Sequence, residues 1–458
     1  MVLGCTSAAG KSFLVTALAR WFARRGVDVV PFKAQNMSNN ARVVEGGEIG
    51  VAQWLQARAA GVEPSVDMNP VLLKPEADTR SQVVVSGRVR HDLTDMPWRE
   101  RGPHLWPPME ASLRRLLDRH QLVLIEGAGS PAEINLPDLV NNRVIESADA
   151  AGLLVADIDR GGAFAHVFGT WSLVPETTRS RLAGYVLNRF RGDASLLAPG
   201  PEQLTAMTSL PLVGVVPMVD HQLPDEEGGT IRGRGPEDGI QVAVVRFPFG
   251  SNVDEFHLLP TAARMSWADS PSDLDGVDLV ILPGSKHVAA DVRWLRERGL
   301  ADRIVTMAGA GTRVLGICGG AMMLGVGIDD ADGIEGAAPG LGLLPMSTEM
   351  VPDKITAPAT VEMRGLSGPW SGLNGLVWEG YEIRHGRVSG ESCQVGPALW
   401  SRDSVLATTV HGLLEDPAAV QALTGRRPEP VLEATFERLA DLVDETLDTG
   451  YLESLTGI

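Results

Sequence analysis

Short apolar runs alternate along most of the chain with longer stretches of helical periodicity. Val27 to Lys33, Gln121 to Glu126, Leu153 to Asp157 and Gly184 to Phe190 are each aliphatic and end in a polar residue or a turn. A run that is apolar on both faces predicts a strand buried on both sides, as in a parallel sheet. Between such runs, Phe13, Leu14, Ala17, Leu18, Trp21 and Phe22 recur at helical spacing until Gly26. Strands alternating with helices to about residue 217 predict a parallel sheet with helices on both faces.

The pattern lapses from Val219 to Gly239. Asp225-Glu226-Glu227-Gly228-Gly229 and Gly233 to Gly239 are polar, acidic and glycine-rich, the composition of an exposed linker. Strand patterns resume at Val242 to Phe247, at Leu279 to Leu282 and at Val405 to Val410. Leu432, Phe436, Leu439, Val443 and Leu447 then have helical spacing up to Gly450, which predicts a helix docked over the core. The expected division is a first domain over 1–222, a linker over 223–239, a second domain over 240–428 and a C-terminal helix over 429–458. Both domains are expected to be doubly wound α/β units.

Composition narrows the function classes. A chain of 458 residues exceeds what one core serves. Its formal net charge of -18 argues against nucleic acid or an anionic membrane as the main partner. There is no apolar run of about 18 residues and no basic-then-apolar leader, so a cytoplasmic protein is expected. Cys5, Cys318 and Cys393 stand far apart, which supports neither a disulfide framework nor a zinc site.

Two stretches carry chemistry. The first is Gly4-Cys5-Thr6-Ser7-Ala8-Ala9-Gly10-Lys11-Ser12, a glycine-rich loop opening a helix. Backbone N–H groups of such a loop, including that of Gly10, cradle phosphates, Lys11 reaches the outer phosphates, and the Ser12 hydroxyl ligates Mg²⁺. Five residues separate Gly4 from Gly10, one more than the usual spacing. The preceding strand, Met1 to Leu3, is short enough to suggest that the natural start lies a few residues earlier. Lys33, at a strand end on the same edge, is a candidate for nucleotide phosphates or an anionic acceptor, or a solvated strand end. Glu126 and, second to it, Asp157 are acids at strand tips placed to hold Mg²⁺. Asn188 is either a contact to the nucleobase edge or a turn former.

The second stretch is Val314-Leu315-Gly316-Ile317-Cys318-Gly319-Gly320, a strand running into a helix. It reads as an elbow presenting Cys318 as a nucleophile, with glycines that accommodate strained dihedrals. The amides of Gly319 and Gly320 would favour thiolate and hold an oxyanion. Gly284, in the turn Pro283-Gly284-Ser285-Lys286, is a candidate for the second oxyanion donor. His411, delivered by an apolar strand to Gly412, is the candidate base.

The elbow, the Leu-Pro-Gly-Ser-Lys loop and Val-His-Gly-Leu resemble a class I glutamine amidotransferase domain. The front half is similar to the P-loop ATPase domain of the dethiobiotin synthetase type. Pro31 to Asn40, Gly46 to Gly50, Val66 to Pro75, Ile125 to Leu136 and Val155 to Gly162, with the two domains in this order, resemble the cobyric acid synthase family over nearly the whole chain. The resemblance implies amidation of several carboxylates of adenosylcobyrinic acid a,c-diamide with ATP and glutamine. Cys318 would attack the glutamine amide, His411 would assist proton transfer, and amides near Gly284 and Gly319 would hold the oxyanion. Ammonia would pass to the front half, where ATP bound by Gly10, Lys11 and Ser12 with Mg²⁺ activates a corrinoid carboxylate.

The family pattern is not followed throughout. Many class I amidotransferases carry Glu two residues after the histidine, where this chain has Leu413, so a Cys-His dyad is expected, with Glu415 the candidate orienter. The stretch Pro137 to Arg143 is shorter than the family pattern. Arg143, Arg160, Arg189 and Arg191 are candidates to meet the corrinoid polycarboxylate. Two alternatives remain: a sibling ligase (cobyrinic acid a,c-diamide synthase or a cell-wall precursor amidase), and a regulatory P-loop ATPase with a degenerate amidotransferase domain. Retention of both Cys318 and His411 argues against the latter.

Overall fold

Each strand of the first sheet is a short apolar run, and the sheet assembles them all in parallel. Val2–Gly4 pairs with Gly152–Asp157, which pairs with Leu182–Phe190 and then Leu212–Pro217. On its other side Val2 bridges Glu126 at the end of Leu122–Ile125, and that strand pairs with Val29–Phe32. Val2–Gly4 is therefore central. The loop that follows it emerges beside the carboxyl ends carrying Glu126 and Asp157, where open α/β sheets bind ligands. The computed structural model describes the chain except residues 78, 136–137, 222 and 225–234. The acidic heart of the expected linker, Asp225 to Arg234, lies outside the described residues, as do Leu136 and Pro137 at the shortened stretch.

Helix Lys11–Arg24 buries Leu14, Leu18, Trp21 and Phe22. Much of its cover comes from the far end of the chain. Helix Leu432–Thr446 packs Phe436, Leu439 and Val443 into the same core. Arg20 pairs with Glu433 at 2.7 Å, Arg24 with Asp441 at 2.6 Å, and Trp21 Nε1 donates to Asp444 Oδ1 at 2.7 Å. The last helix thus returns to the first domain. It also stops earlier than its apolar spacing predicts: Leu447 bridges Gly214, and a second helix, Thr449–Thr456, starts where Asp448 accepts the Tyr451 N–H. A Cβ on Gly214 would lie 2.3 Å from the Thr446 carbonyl oxygen, so glycine permits this approach.

The second sheet has the order Arg264–Ala268, Gln241–Val245, Leu279–Leu282, Arg313–Ile317, Val405–Thr408, Leu399–Arg402, Gln394–Gly396. The first five strands are parallel and the last two antiparallel. Arg313–Ile317 lies between Leu279–Leu282 and Val405–Thr408, so the segments bearing Gly284, Cys318 and His411 emerge side by side. A long hairpin, Ser347–Glu362 with Val377–Ser389, reaches back to the first domain, where Lys354 pairs with Glu48 and His385 Nε2 lies 3.4 Å from Gln82 Nε2. Among the described residues no helix is long and apolar enough to cross a membrane.

Candidate active site

Cys318 itself carries the strain of the elbow, with φ 49° and ψ −107° between strand Arg313–Ile317 and helix Gly319–Leu324. A non-glycine residue held there stores roughly 1–3 kcal/mol, which the surrounding packing must outweigh. The neighbouring glycines have a different task from the one expected: they let chains touch. A Cβ on Gly320 would lie 2.0 Å from the Leu282 carbonyl oxygen, and one on Gly319 2.7 Å from the Ser285 nitrogen. Gly320 donates its N–H to the Pro283 carbonyl at 2.9 Å, so that amide is already committed, contrary to the expectation. Among the described residues the Gly319 N–H has no backbone acceptor. A cavity of about 30 Å³ beside Cys318 is walled by Ser251, Asn252, Ser285, Gly319 and Arg384.

His411 is buried and its ring is fixed from three sides. Nδ1 lies 3.0 Å from Glu255 Oε1, while Glu255 Oε2 accepts the Gly412 N–H at 3.0 Å. Tyr381 stacks on the imidazole with centroids 5.3 Å apart. A Cβ on Gly284 would come within 2.8 Å of His411 Cε1. With Nδ1 facing a carboxylate, the ring presents Nε2 to Cys318; Nε2 lacks a well-formed hydrogen bond and has Cys318 as its electrostatic partner. Burial alone would lower the imidazole pKa, but the charges of Cys318 and Glu255 outweigh it and raise it to about 10.

The expectation of a dyad with Glu415 as orienter is therefore corrected. Glu415 turns to Arg42 of the first domain, and the carboxylate that meets His411 is Glu255, on the short turn Val253–Phe256. Nothing in the local pattern of Asn252-Val253-Asp254-Glu255-Phe256 marks it beyond its following the first strand of the sheet.

In the first domain Gly10 precedes helix Lys11–Arg24 with φ 97°, a conformation that suits glycine. Asn188 Nδ2 donates to the Ala9 carbonyl at 2.9 Å and would lie 2.0 Å from a Cβ on Gly10. Its amide nitrogen braces the phosphate loop, a role beyond the two expected. Ser12 Oγ donates to Glu126 Oε1 at 2.8 Å, and Lys33 Nζ lies 2.9 Å from the same oxygen. Gln56 Nε2 reaches Oε2 at 2.5 Å; its position on helix Val51–Ala60 gave no sign of this. Lys11 is buried alongside. Burial would raise the Glu126 pKa, but Lys33 and Lys11 together draw it below the usual carboxylate range.

A hydroxyl and a carboxylate are hard donors suited to Mg²⁺. Among the described residues no group of three or more His, Cys, Asp or Glu side chains could hold a metal. The remaining positions would fall to phosphate oxygens and water, the usual mode for this ion. Asp157 does not join Ser12 and Glu126. Its Oδ2 is taken by Arg189 at 2.9 Å and Arg160 at 3.3 Å, and its Oδ1 accepts the Asp159 N–H. Two guanidiniums compete for the oxygens a metal would need.

Residues 1–228 match the CobQ/CobB/MinD/ParA nucleotide binding domain, and residues 241–419 match the CobB/CobQ-like glutamine amidotransferase domain. The chain is 51% identical over 479 residues to a cobyric acid synthase of Paracidovorax citrulli, covering 98% of this chain and 97% of the relative. It is 50% identical to one of Variovorax paradoxus, covering 99% and 98%.

The chain belongs to the cobyric acid synthase family.

This member of the family pairs the expected basic residues internally. Arg143 lies over the Trp106 ring at 4.1 Å, and Arg191 Nε donates to Asp159 at 2.9 Å. With Arg160 and Arg189 on Asp157, all four are engaged within the first domain. A cleft of about 750 Å³ opens between Val43–Gly47 and Gly87–Val89 of the first domain and Pro352–Pro358 of the second, with Arg88, His91 and Lys354 on its walls.

Proposed function

We propose that this protein is an ATP- and glutamine-dependent ligase that amidates several side-chain carboxylates of adenosylcobyrinic acid a,c-diamide. The pairing, in one chain, of a buried Cys318, His411 and Glu255 with a Ser12, Lys33 and Glu126 cluster at a phosphate loop supports ATP- and glutamine-dependent ligation, and identity of 51% and 50% to cobyric acid synthases over nearly the whole chain supports the corrinoid substrate. Cys318 attacks the amide carbon of glutamine. His411, held as an imidazolium by Cys318 and Glu255 before glutamine arrives, gives its Nε2 proton to the departing ammonia, while Glu255 stabilises the imidazolium through Nδ1. The Gly319 N–H and the turn at Gly284 face the developing oxyanion. Water then releases glutamate from the thioester.

In the first domain the loop ending at Gly10 wraps the phosphates and Lys11 offsets charge on the transferred phosphoryl group. Lys33 keeps Glu126 ionised. Mg²⁺ held by Ser12 and Glu126 would neutralise phosphate charge. The phosphorylated carboxylate then loses phosphate to ammonia. ATP, glutamine and three free cysteines fit a cytoplasmic enzyme.

Mass spectrometry of the corrinoid incubated with protein, ATP, Mg²⁺ and glutamine tests this reading through successive amide-for-acid mass changes. Cys318→Ala should abolish the glutamine-driven product and retain the product driven by ammonium salt; loss of both would make the cysteine structural. Lys11→Ala should stop amidation with partial survival of glutamine hydrolysis, and an unchanged amidation rate would refute the ATP role.

A further inference from the structure

Arg42 lies on strand Ala41–Val44 of the nucleotide-binding domain, yet its guanidinium is buried in the other domain's catalytic surroundings. It pairs with Asp254, the residue before Glu255, and with Glu415, on the turn that begins directly after Gly412. It thus clamps both segments that carry the carboxylate–imidazole contact. It also lies 5.1 Å over the Tyr381 ring, the ring that stacks on His411. The backbone beside it reinforces the junction: Asn252 Nδ2 donates to the Ala41 carbonyl at 2.6 Å, and the Val253 N–H to Asn40 Oδ1 at 3.2 Å.

On its own side Arg42 lies 4.9 Å over Trp54. Trp54 belongs to helix Val51–Ala60, which also supplies Gln56 to Glu126 at the phosphate loop. One short segment, residues 40–56, therefore touches the nucleotide site at one end and the residues around the glutamine-hydrolysing site at the other. Burial pushes the Asp254 carboxyl up, and the Arg42 charge opposes it. Removing the guanidinium would leave a buried acid unpaired next to Glu255.

We propose that Arg42 is a positioning residue through which the nucleotide-binding domain holds Glu255 and His411 in working geometry for glutamine hydrolysis. The proposal rests on the glutamine-hydrolysing role given above. Arg42 is not among the residues walling the Cys318 cavity, so its effect falls on turnover more than on glutamine binding.

The test compares the full-length protein with Arg42→Gln and Arg42→Lys, measuring ammonia release from glutamine and corrinoid amidation driven by ammonium salt. Arg42→Gln should lower kcat for glutamine hydrolysis by about tenfold or more, shift KM by less than about threefold, and keep ammonium-driven amidation within about twofold. Arg42→Lys should recover part of kcat. The double variant Arg42→Gln with Asp254→Asn, which removes the unpaired acid, should recover thermal stability without recovering kcat. An unchanged kcat in Arg42→Gln overturns the proposal. So does an equal loss of glutamine-driven and ammonium-driven amidation, or recovery of kcat in the double variant. A wild-type protein that hydrolyses glutamine but amidates no corrinoid with either nitrogen source would refute the ligase reading alone, since the hydrolysis comparison needs no corrinoid.

Discussion

Glu255 and His411 stand 156 positions apart in the chain, and their Oε1 and Nδ1 atoms lie 3.0 Å apart in the fold. The second carboxylate oxygen is held by the Gly412 N–H, so the acid is oriented by the backbone next to the residue it serves. This contact fixes which imidazole nitrogen meets Cys318.

Glu255→Gln keeps the shape and removes the charge. Glutamine hydrolysis should fall by about 10²-fold or more through the wrong tautomer and a destabilised imidazolium, with ammonium-driven amidation retained. Coupled detection of released ammonia measures the first, and mass spectrometry of the corrinoid the second. Glu415→Gln should have a smaller effect on hydrolysis, because Glu415 reaches the site only through Arg42.

Gly284→Ala adds a single methyl group 2.8 Å from His411 Cε1 and 2.8 Å from the Ser251 carbonyl oxygen. The imidazole or the strand must move, and displacements of this size misalign proton transfer. Glutamine hydrolysis should drop while ATP binding, followed by calorimetric titration, is unaltered.

The raised pKa of His411 gives a pH dependence of stability with a definite sign. The folded state holds the imidazolium more tightly than the unfolded chain, whose histidine titrates near about 6.5. The stabilisation is therefore complete below about 6.5 and is lost as pH rises through the folded value of about 10. Urea unfolding of wild type and His411→Gln between these limits should show the wild-type advantage shrinking toward the alkaline end. An advantage that grows with pH would reverse the assignment.

Ser12→Ala removes a hydroxyl that donates to Glu126 at 2.8 Å and that serves as a candidate metal ligand. Amidation should fall and require more Mg²⁺ for half-maximal rate, with glutamine hydrolysis persisting. Titrating Mg²⁺ at saturating ATP reads this directly.

Phe436 is fully buried against helix Lys11–Arg24. Phe436→Ala should destabilise the first domain by about 3–5 kcal/mol, followed by urea titration read through loss of ATP binding. Glutamine hydrolysis should be lost over the same urea range, because Arg42 of the first domain holds the segments that carry Glu255 and His411.

Much of the fold was legible because parallel strands buried on both faces are written as contiguous apolar runs, and such a run needs no partner to be seen. Leu153 to Asp157 and Val314 to Ile317 are recognisable alone. The placement of Gly10, Lys11, Ser12, Cys318 and His411 at loops and turns was legible for a related reason. Each sits at a strand end or loop whose local sequence already states its backbone geometry. Gln56, Glu255 and Arg42 carry no such local mark, and the pairing of Asp157 with Arg189 is not legible beside it because Arg189 comes from the neighbouring strand.

The sequence by itself determined two α/β domains, a phosphate loop, a cysteine elbow and the family to which they belong, since these depend on residues within a few positions of one another. Tertiary structure decided which acid meets His411, where Glu415 points, and that the chain's last helices cover its first. These are contacts between segments far apart in sequence. Their existence depends on the relative placement of sheets and domains, which is set by packing across the whole molecule and not by any local pattern.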